Sequence, residues 1–186
     1  MRKLIVFNSV TVDGYFTGAG GDMSWAHNED PEWNAFVEEN AGGGGVLVFG
    51  RVTYEMMASF WPTPFALQSY PLVAKQMNDA EKIVFSRTLN SASWSNTKLL
   101  KGNLETEVRE LKEAAGDDLV ILGSGSIVAQ LTDASLIDEY QIVVDPIVLG
   151  AGRTMFEGIK NKLKLKRVKT RTFNNGNVLL CYAPMA

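Results

Sequence analysis

The chain has 186 residues, of which 46% are apolar and 21% charged. Those proportions exclude a disordered, collagen-like or low-complexity polymer, and the length fits one domain able to bury a sizeable core. Eighteen basic residues against 21 acidic ones leave a net charge of −3, so no broad electrostatic footprint for nucleic acid is present.

Lys160 to Arg171 is the one basic cluster, and its alternation with Leu163, Leu165 and Val168 reads as an exposed strand face. Cys181 lies in the apolar run VLLCYA and reads as a small buried hydrophobe with no second cysteine to bridge. His27 is the single histidine, so no His/Cys metal cluster is expected. No signal-peptide pattern and no apolar run long enough to span a membrane occur, which makes the reducing cytoplasm the expected compartment.

Leu4 to Val12 is rich in β-branched residues and ends at Asp13-Gly14, a strand and its turn. Gly18 to Asp22 follows as a glycine-rich loop. Asp30-Pro31-Glu32 reads as an N-cap, a first-turn proline and an acidic first turn, opening a helix from about Pro31 to Asn40. Val46 to Phe49 is a short apolar run of the kind a strand buried on both faces carries. Thr53, Met56, Met57 and Phe60 lie at helical spacing and stop before Pro62 and Pro64. Lys82 to Phe85 is the next buried strand, and Leu104, Val108, Leu111 and Ala115 mark an amphipathic helix ending near Gly116. Leu119 to Leu122 repeats the short apolar strand, a helix runs through Leu131, and Tyr140 to Val144 is a further strand. Leu165 to Phe173 and Val178 to Tyr182 flank Asn175-Gly176, a hairpin signal. The alternation predicts one α/β domain over residues 1–186, with a mostly parallel central sheet flanked by helices and an antiparallel C-terminal hairpin.

In such sheets ligands bind outside the carboxyl ends of parallel strands. Three junctions there carry suitable residues. Gly50-Arg51-Val52-Thr53 combines close backbone approach, a helix start and a guanidinium suited to phosphate. Gly123-Ser124-Gly125-Ser126-Ile127 opens a helix after an apolar strand, so its backbone amides could cradle a pyrophosphate. Ser86-Arg87, directly after a strand, could hold the ribose phosphate that separates NADP from NAD.

Together these motifs resemble the dihydrofolate reductase-like fold and, within it, the reductase domain of the bacterial bifunctional riboflavin-pathway deaminase/reductase. Gly50-Arg51-x-Thr53-aromatic-Glu55, the Ser86 motif and Gly123-Ser124-Gly125 are similar to dihydrofolate reductase. Ser9 to Gly14, Asp138-Glu139 and Pro146 to Gly152 are similar to the riboflavin-pathway domain. The resemblance implies NADPH, with phosphates at Arg51, Thr53, Ser86 and Arg87, the pyrophosphate over Ser124 to Ile127, and the nicotinamide facing Ser9. It implies hydride transfer to a small planar heterocycle, closest to 5-amino-6-(5-phosphoribosylamino)uracil. Dihydrofolate or pteridine reduction and a non-catalytic NADPH-binding module stay open beside it.

The spacing Trp25-x4-Asp30-x2-Trp33 matches the one by which dihydrofolate reductase places its pocket carboxylate, so Asp30 is the first candidate acid. It also reads as a plain N-cap. Asp13 is the second candidate, and it also reads as turn chemistry. Trp25, Phe16 and Trp61, with Phe60 and Phe65, would wall the substrate pocket. The arginine that grips a folate tail corresponds to Ala80 and the threonine behind the pocket carboxylate to Ile142. Where the riboflavin-pathway domain has Asp-Asp-Pro, this chain reads Met56 to Pro62. A homodimer using the Tyr140 to Leu149 strand is expected from the same family.

Overall fold

The computed structural model describes residues 1–26 and 30–185; His27 lies outside them. In chain order the strands are β1 (Leu4–Thr11), β2 (Tyr15–Thr17), β3 (Val46–Gly50), β4 (Lys82–Phe85), β5 (Thr97–Leu100), β6 (Leu119–Leu122), β7 (Glu139–Asp145), β8 (Arg153–Thr154), β9 (Leu165–Thr172) and β10 (Val178–Pro184). The helices are α1 (Pro31–Gly42), α2 (Arg51–Phe60), α3 (Pro64–Ser69), α4 (Pro71–Asp79), α5 (Leu104–Glu113) and α6 (Gly125–Asp133).

Eight strands hydrogen-bond in the order β5-β4-β3-β6-β1-β7-β10-β9, and β2 pairs with β8 in a separate ribbon. β5 through β7 run parallel, whereas β10 lies antiparallel to both β7 and β9. The mostly parallel α/β sheet with an antiparallel C-terminal hairpin is therefore present as the sequence predicts.

Side chains alternate across each strand, which divides the interior into two faces. Leu4, Val6, Val48, Leu119 and Ile121 meet Val108 of α5 and Val128 and Leu131 of α6 on one face. On the other, Trp33 and Phe36 of α1 pack on Val143, Phe173 and Leu179. Tyr54 of α2 and Val73 and Met77 of α4 pack farther along, on Phe49, Val84 and Trp94. Between these two helical covers the sheet forms a cleft floor of Ile5, Phe7, Leu47, Val120 and Leu122.

Three departures from the sequence reading have physical causes. The stretch after Pro62 holds two helices, because Pro64 and Pro71 each sit in a helical first turn, where the missing N–H costs nothing. Thr97–Leu100 adds an edge strand beyond β4, too short and too polar to announce itself. The Tyr140 to Leu149 segment is no pairing edge. It enters β7, which is bonded to β1 on one side and β10 on the other, and Tyr140 and Val143 are buried. Within this segment, the exposed large apolar residues are Ile147 and Val148, beyond the strand.

Candidate active site

The parallel order β4-β3-β6-β1 sets the three junctions side by side at one carboxyl edge. Ser124 Oγ accepts the Gly50 N–H at 2.8 Å, and Thr53 Oγ1 accepts the Ser124 N–H at 3.0 Å. The start of α2 and the start of α6 are thus bolted together by two reciprocal bonds. Asn8 on β1 ties in the third strand: its Oδ1 accepts the Gly123 N–H and its Nδ2 donates to the Gly123 carbonyl at 3.1 Å.

Gly123 has φ +60°, and a Cβ there would stand 2.8 Å from Thr53 Cγ2. Ser124 follows in the left-handed region as well, which a non-glycine residue adopts only when its surroundings hold it. Gly125 opens α6 with its α-carbon against the Phe16 ring, 2.8 Å from where a Cβ would lie. The glycines therefore serve the packing of the turn, and the first-turn amides of α6 are the groups such a turn presents to an anion.

Phe85 pairs with Gly50 in the sheet register, so Ser86 and Arg87 follow at the same edge. Ser86 Oγ accepts the Thr88 and Leu89 N–H groups at 3.2 and 2.9 Å, which fixes the turn that carries Arg87 outward. Arg51 is exposed and pairs with Glu55 at 2.8 Å on the same helix face. Arg51, Thr53, Ser86, Arg87, Gly123 to Ile127, Ser9, Phe16 and Trp61 all line one continuous cleft of about 2250 Å³. A pocket of roughly 300–1,000 Å³ suffices for a drug-sized ligand, so this one has room for a dinucleotide and a second molecule. The donors present fit such a group: two guanidiniums, two hydroxyls and a helix start; the carboxylates along the cleft are Asp79, Glu81, Glu105, Asp117 and Asp118, while Glu55 pairs with Arg51.

The acid candidates are placed differently. Asp30 caps α1 by accepting the Trp33 N–H at 2.9 Å, at the helix end that overlies the carboxyl edge. The Asp13 carboxylate accepts from the Thr11 hydroxyl and from the Leu149 and Gly150 amides. The Thr11 bond first, then the Gly150 amide, hold its pKa below the ordinary carboxylate value. Asp13 is thus a tie for the loop after β7, and a group so held is a poor proton donor at neutral pH. Trp25 donates its indole N–H to the Asp22 carbonyl at 3.1 Å. Trp25, Asp13 and Asp30 are not among the residues that line the cleft.

Two of the compared positions have these places in the fold. Ile142 packs on the α5–α6 face of the sheet, so Val143 and Asp145 hold the side that α1 covers. Ala80 ends α4 at the amino edge, opposite the phosphate junctions. Two residues with a place in the site escaped the sequence reading. Asn8 stands beside Ser9 in a run that reads only as strand. Asp145 is 3% exposed, and burial raises its pKa to about 6, against the Ser9 hydroxyl and the Asn177 amide, which lower it. Its sequence signal was a carboxylate closing an apolar strand just before Pro146.

The fold is dihydrofolate reductase-like. Residues 2–179 match the model of the RibD C-terminal domain, and the chain belongs to that family. It is similar to the uncharacterized protein YyaP of Bacillus subtilis (strain 168), 28% identical over 182 residues, covering 97% of this chain and 94% of that one. A solved structure from Shewanella sp. PV-4, named as a riboflavin biosynthesis protein, superposes with a TM-score of 0.76 at 24% identity over all of both chains. Dihydrofolate reductase from Enterococcus faecalis, complexed with NADP(H) and RAB-propyl, has a TM-score of 0.65 at 17% identity, covering 99% of this chain and 97% of that one. Among the described residues no helix is long and apolar enough to cross a membrane.

Proposed function

We propose that this chain is a single-domain NADPH-dependent reductase of a small planar heterocycle, closest in activity to the 5-amino-6-(5-phosphoribosylamino)uracil reductase of riboflavin biosynthesis. The observation that carries this reading is the bolting of Gly50–Thr53 to Gly123–Ser124, with Ser86 and Arg87 alongside on the same edge. Arg87 and Ser86 hold the ribose phosphate, Arg51 and Thr53 its neighbours, and Gly123 to Ile127 the pyrophosphate. Gly50 brings the two turns close enough for this, and Ser9 faces the nicotinamide.

When bound, the cofactor supplies the hydride. The chain positions the acceptor: Phe16 and Trp61, with Trp25 at the entrance, wall the heterocycle, and the apolar floor keeps water from the reacting edge. Asp30, at the start of α1, is the proposed acid on the substrate side. The protein works in the cytoplasm as a homodimer, with Ile147, Val148 and Val12 among the exposed apolar residues that could pair.

Cofactor fluorescence tests the reading. NADPH is expected to bind at least about tenfold more tightly than NADH, and Arg87→Ala to erase most of that preference, since one charge-assisted hydrogen bond is worth about 1.5–3 kcal/mol. Equally weak binding of both cofactors overturns it. Turnover of the aminouracil phosphate against dihydrofolate then separates the two substrate classes.

A further inference from the structure

The ribbon of β2 and β8 straps the start of α6. Its strands pair antiparallel, with Thr17 opposite Arg153, and both flanking residues meet the first residue of the helix. A Cβ on Gly125 would stand 2.8 Å from the Phe16 ring and 3.4 Å from the Met155 carbonyl oxygen. Asn8 holds the same segment from β1, its Nδ2 donating to Met155 Sδ at 2.9 Å. The loop before β8 is anchored as well, by the Leu149 and Gly150 amides on the Asp13 carboxylate. Arg153 thus stands on an element fixed against the same helix start that Gly50 and Thr53 hold from the other side.

The cations that line the cleft among the described residues are Arg2, Arg51, Arg87, Lys101 and Arg153. Arg2 is spent at the amino edge, where it donates to the Asp117 and Leu111 carbonyls. Arg51, Arg87 and Lys101 follow β3, β4 and β5, on one flank of the α6 start. Of these cations, Arg153 is the one that reaches the cleft from the opposite flank, the side of β1. It is exposed, and its ion pair with Glu157 is loose: the nearest atoms are 3.8 Å apart and both side chains are mostly in solvent. Such a pair holds a guanidinium weakly.

We propose that Arg153 binds the nicotinamide-side phosphate of the dinucleotide, across the start of α6 from Arg51. This rests on the reductase reading above, which runs the dinucleotide from Ser86 and Arg87 over the start of α6 to Ser9. A pyrophosphate carries a negative charge on each phosphate, and the amides of residues 124–127 answer it with partial charges only. A guanidinium adds a full charge and a planar fork of donors matched to phosphate oxygens. Glu157, screened by water, is a weak competitor for it.

Calorimetry on the intact chain tests this with NADPH, NADH and adenosine 2′,5′-bisphosphate, which has the ribose phosphate but lacks the nicotinamide-side phosphate. Arg153→Ala is expected to weaken NADPH and NADH alike, by about 10-fold each, and to leave the bisphosphate within about twofold of wild type. Arg153→Lys is expected to recover part of the loss, since it keeps the charge without the fork. Arg87→Ala is expected to give the opposite pattern, weakening NADPH and the bisphosphate and sparing NADH. Arg153 is exposed, so neither of its variants removes a packed side chain. Unchanged NADPH affinity in Arg153→Ala, or a loss that the bisphosphate shares, overturns the proposal and leaves the reductase reading standing. A wild type that binds none of the three nucleotides removes both.

Discussion

Gly123 and Ser124 concentrate what the site asks of single residues. Two successive left-handed conformations turn the chain from β6 into α6, and Thr53 fills the space that any side chain on Gly123 would need. Gly123→Ala is expected to destabilise the protein by about 1–3 kcal/mol and to lower its melting temperature by roughly 5 °C. Thermal unfolding checks this, and an unchanged melting temperature would mean that Thr53 and the turn adapt freely. The glycines, Arg51, Thr53 and Ser86-Arg87 were legible in the sequence because each motif is contiguous and each follows an apolar strand. Asn8 was not, since its partner Gly123 lies 115 residues away, and only parallel pairing of β1 with β6 brings them together. Asp145 was hidden for the same reason: its neighbours are Ser9 on β1 and Asn177 in the turn before β10. Asp13 was legible as turn chemistry, and the Leu149 and Gly150 amides that occupy it became visible only in three dimensions.

At the scale of elements, α4 explains a lysine in a buried strand. Lys82 is 1% exposed, yet its Nζ donates to the carbonyls of Met77, Asn78 and Ala80 at 2.8, 3.0 and 2.6 Å, closing the end of α4. The ammonium also lies 4.5 Å from the centre of the Trp94 ring. Lys82→Met takes the ammonium from all three carbonyls, leaving that of Asn78 to Ser95 and Asn96, and is expected to cost on the order of 3 kcal/mol. Burial lowers the Lys82 pKa to about 8, against the Asp79 carboxylate, which raises it. Its folded value is below the unfolded one, so between them the unfolded chain binds more protons and the wild type gains stability as pH rises. Denaturant unfolding from pH 7 to 10 should therefore show the gap between wild type and Lys82→Met widening above about pH 8. A constant gap would mean that the three carbonyls hold the ammonium fully charged. This arrangement could not be read from the sequence, because Pro64 and Pro71 look like breakers and the helix that Lys82 closes was not foreseen. The exposed cations of β9 were foreseen. Lys166, Arg167 and Lys169 stand on the free edge of the sheet, where charge opposes pairing with another strand.

For the molecule as a whole, the sheet order does most of the functional work. Parallel strands joined by crossover helices present every helix start at one edge, and β4, β3, β6 and β1 lie adjacent there. Strand–helix alternation made the fold class legible, since each crossover is local. The cleft was not legible, because it exists only where α1 on one side and α2 with α4 on the other leave strand faces open. Nor was the interior position of β7, which follows from the return of β10 beside it. The central claim is that this edge grips one phosphorylated dinucleotide. A crystal structure with NADP⁺ tests it most directly. The account predicts the pyrophosphate on the amides of residues 124–127, the ribose phosphate at Ser86 and Arg87, and the nicotinamide beside Ser9. NADP⁺ bound elsewhere, or those three segments left without contact to it, would contradict the account.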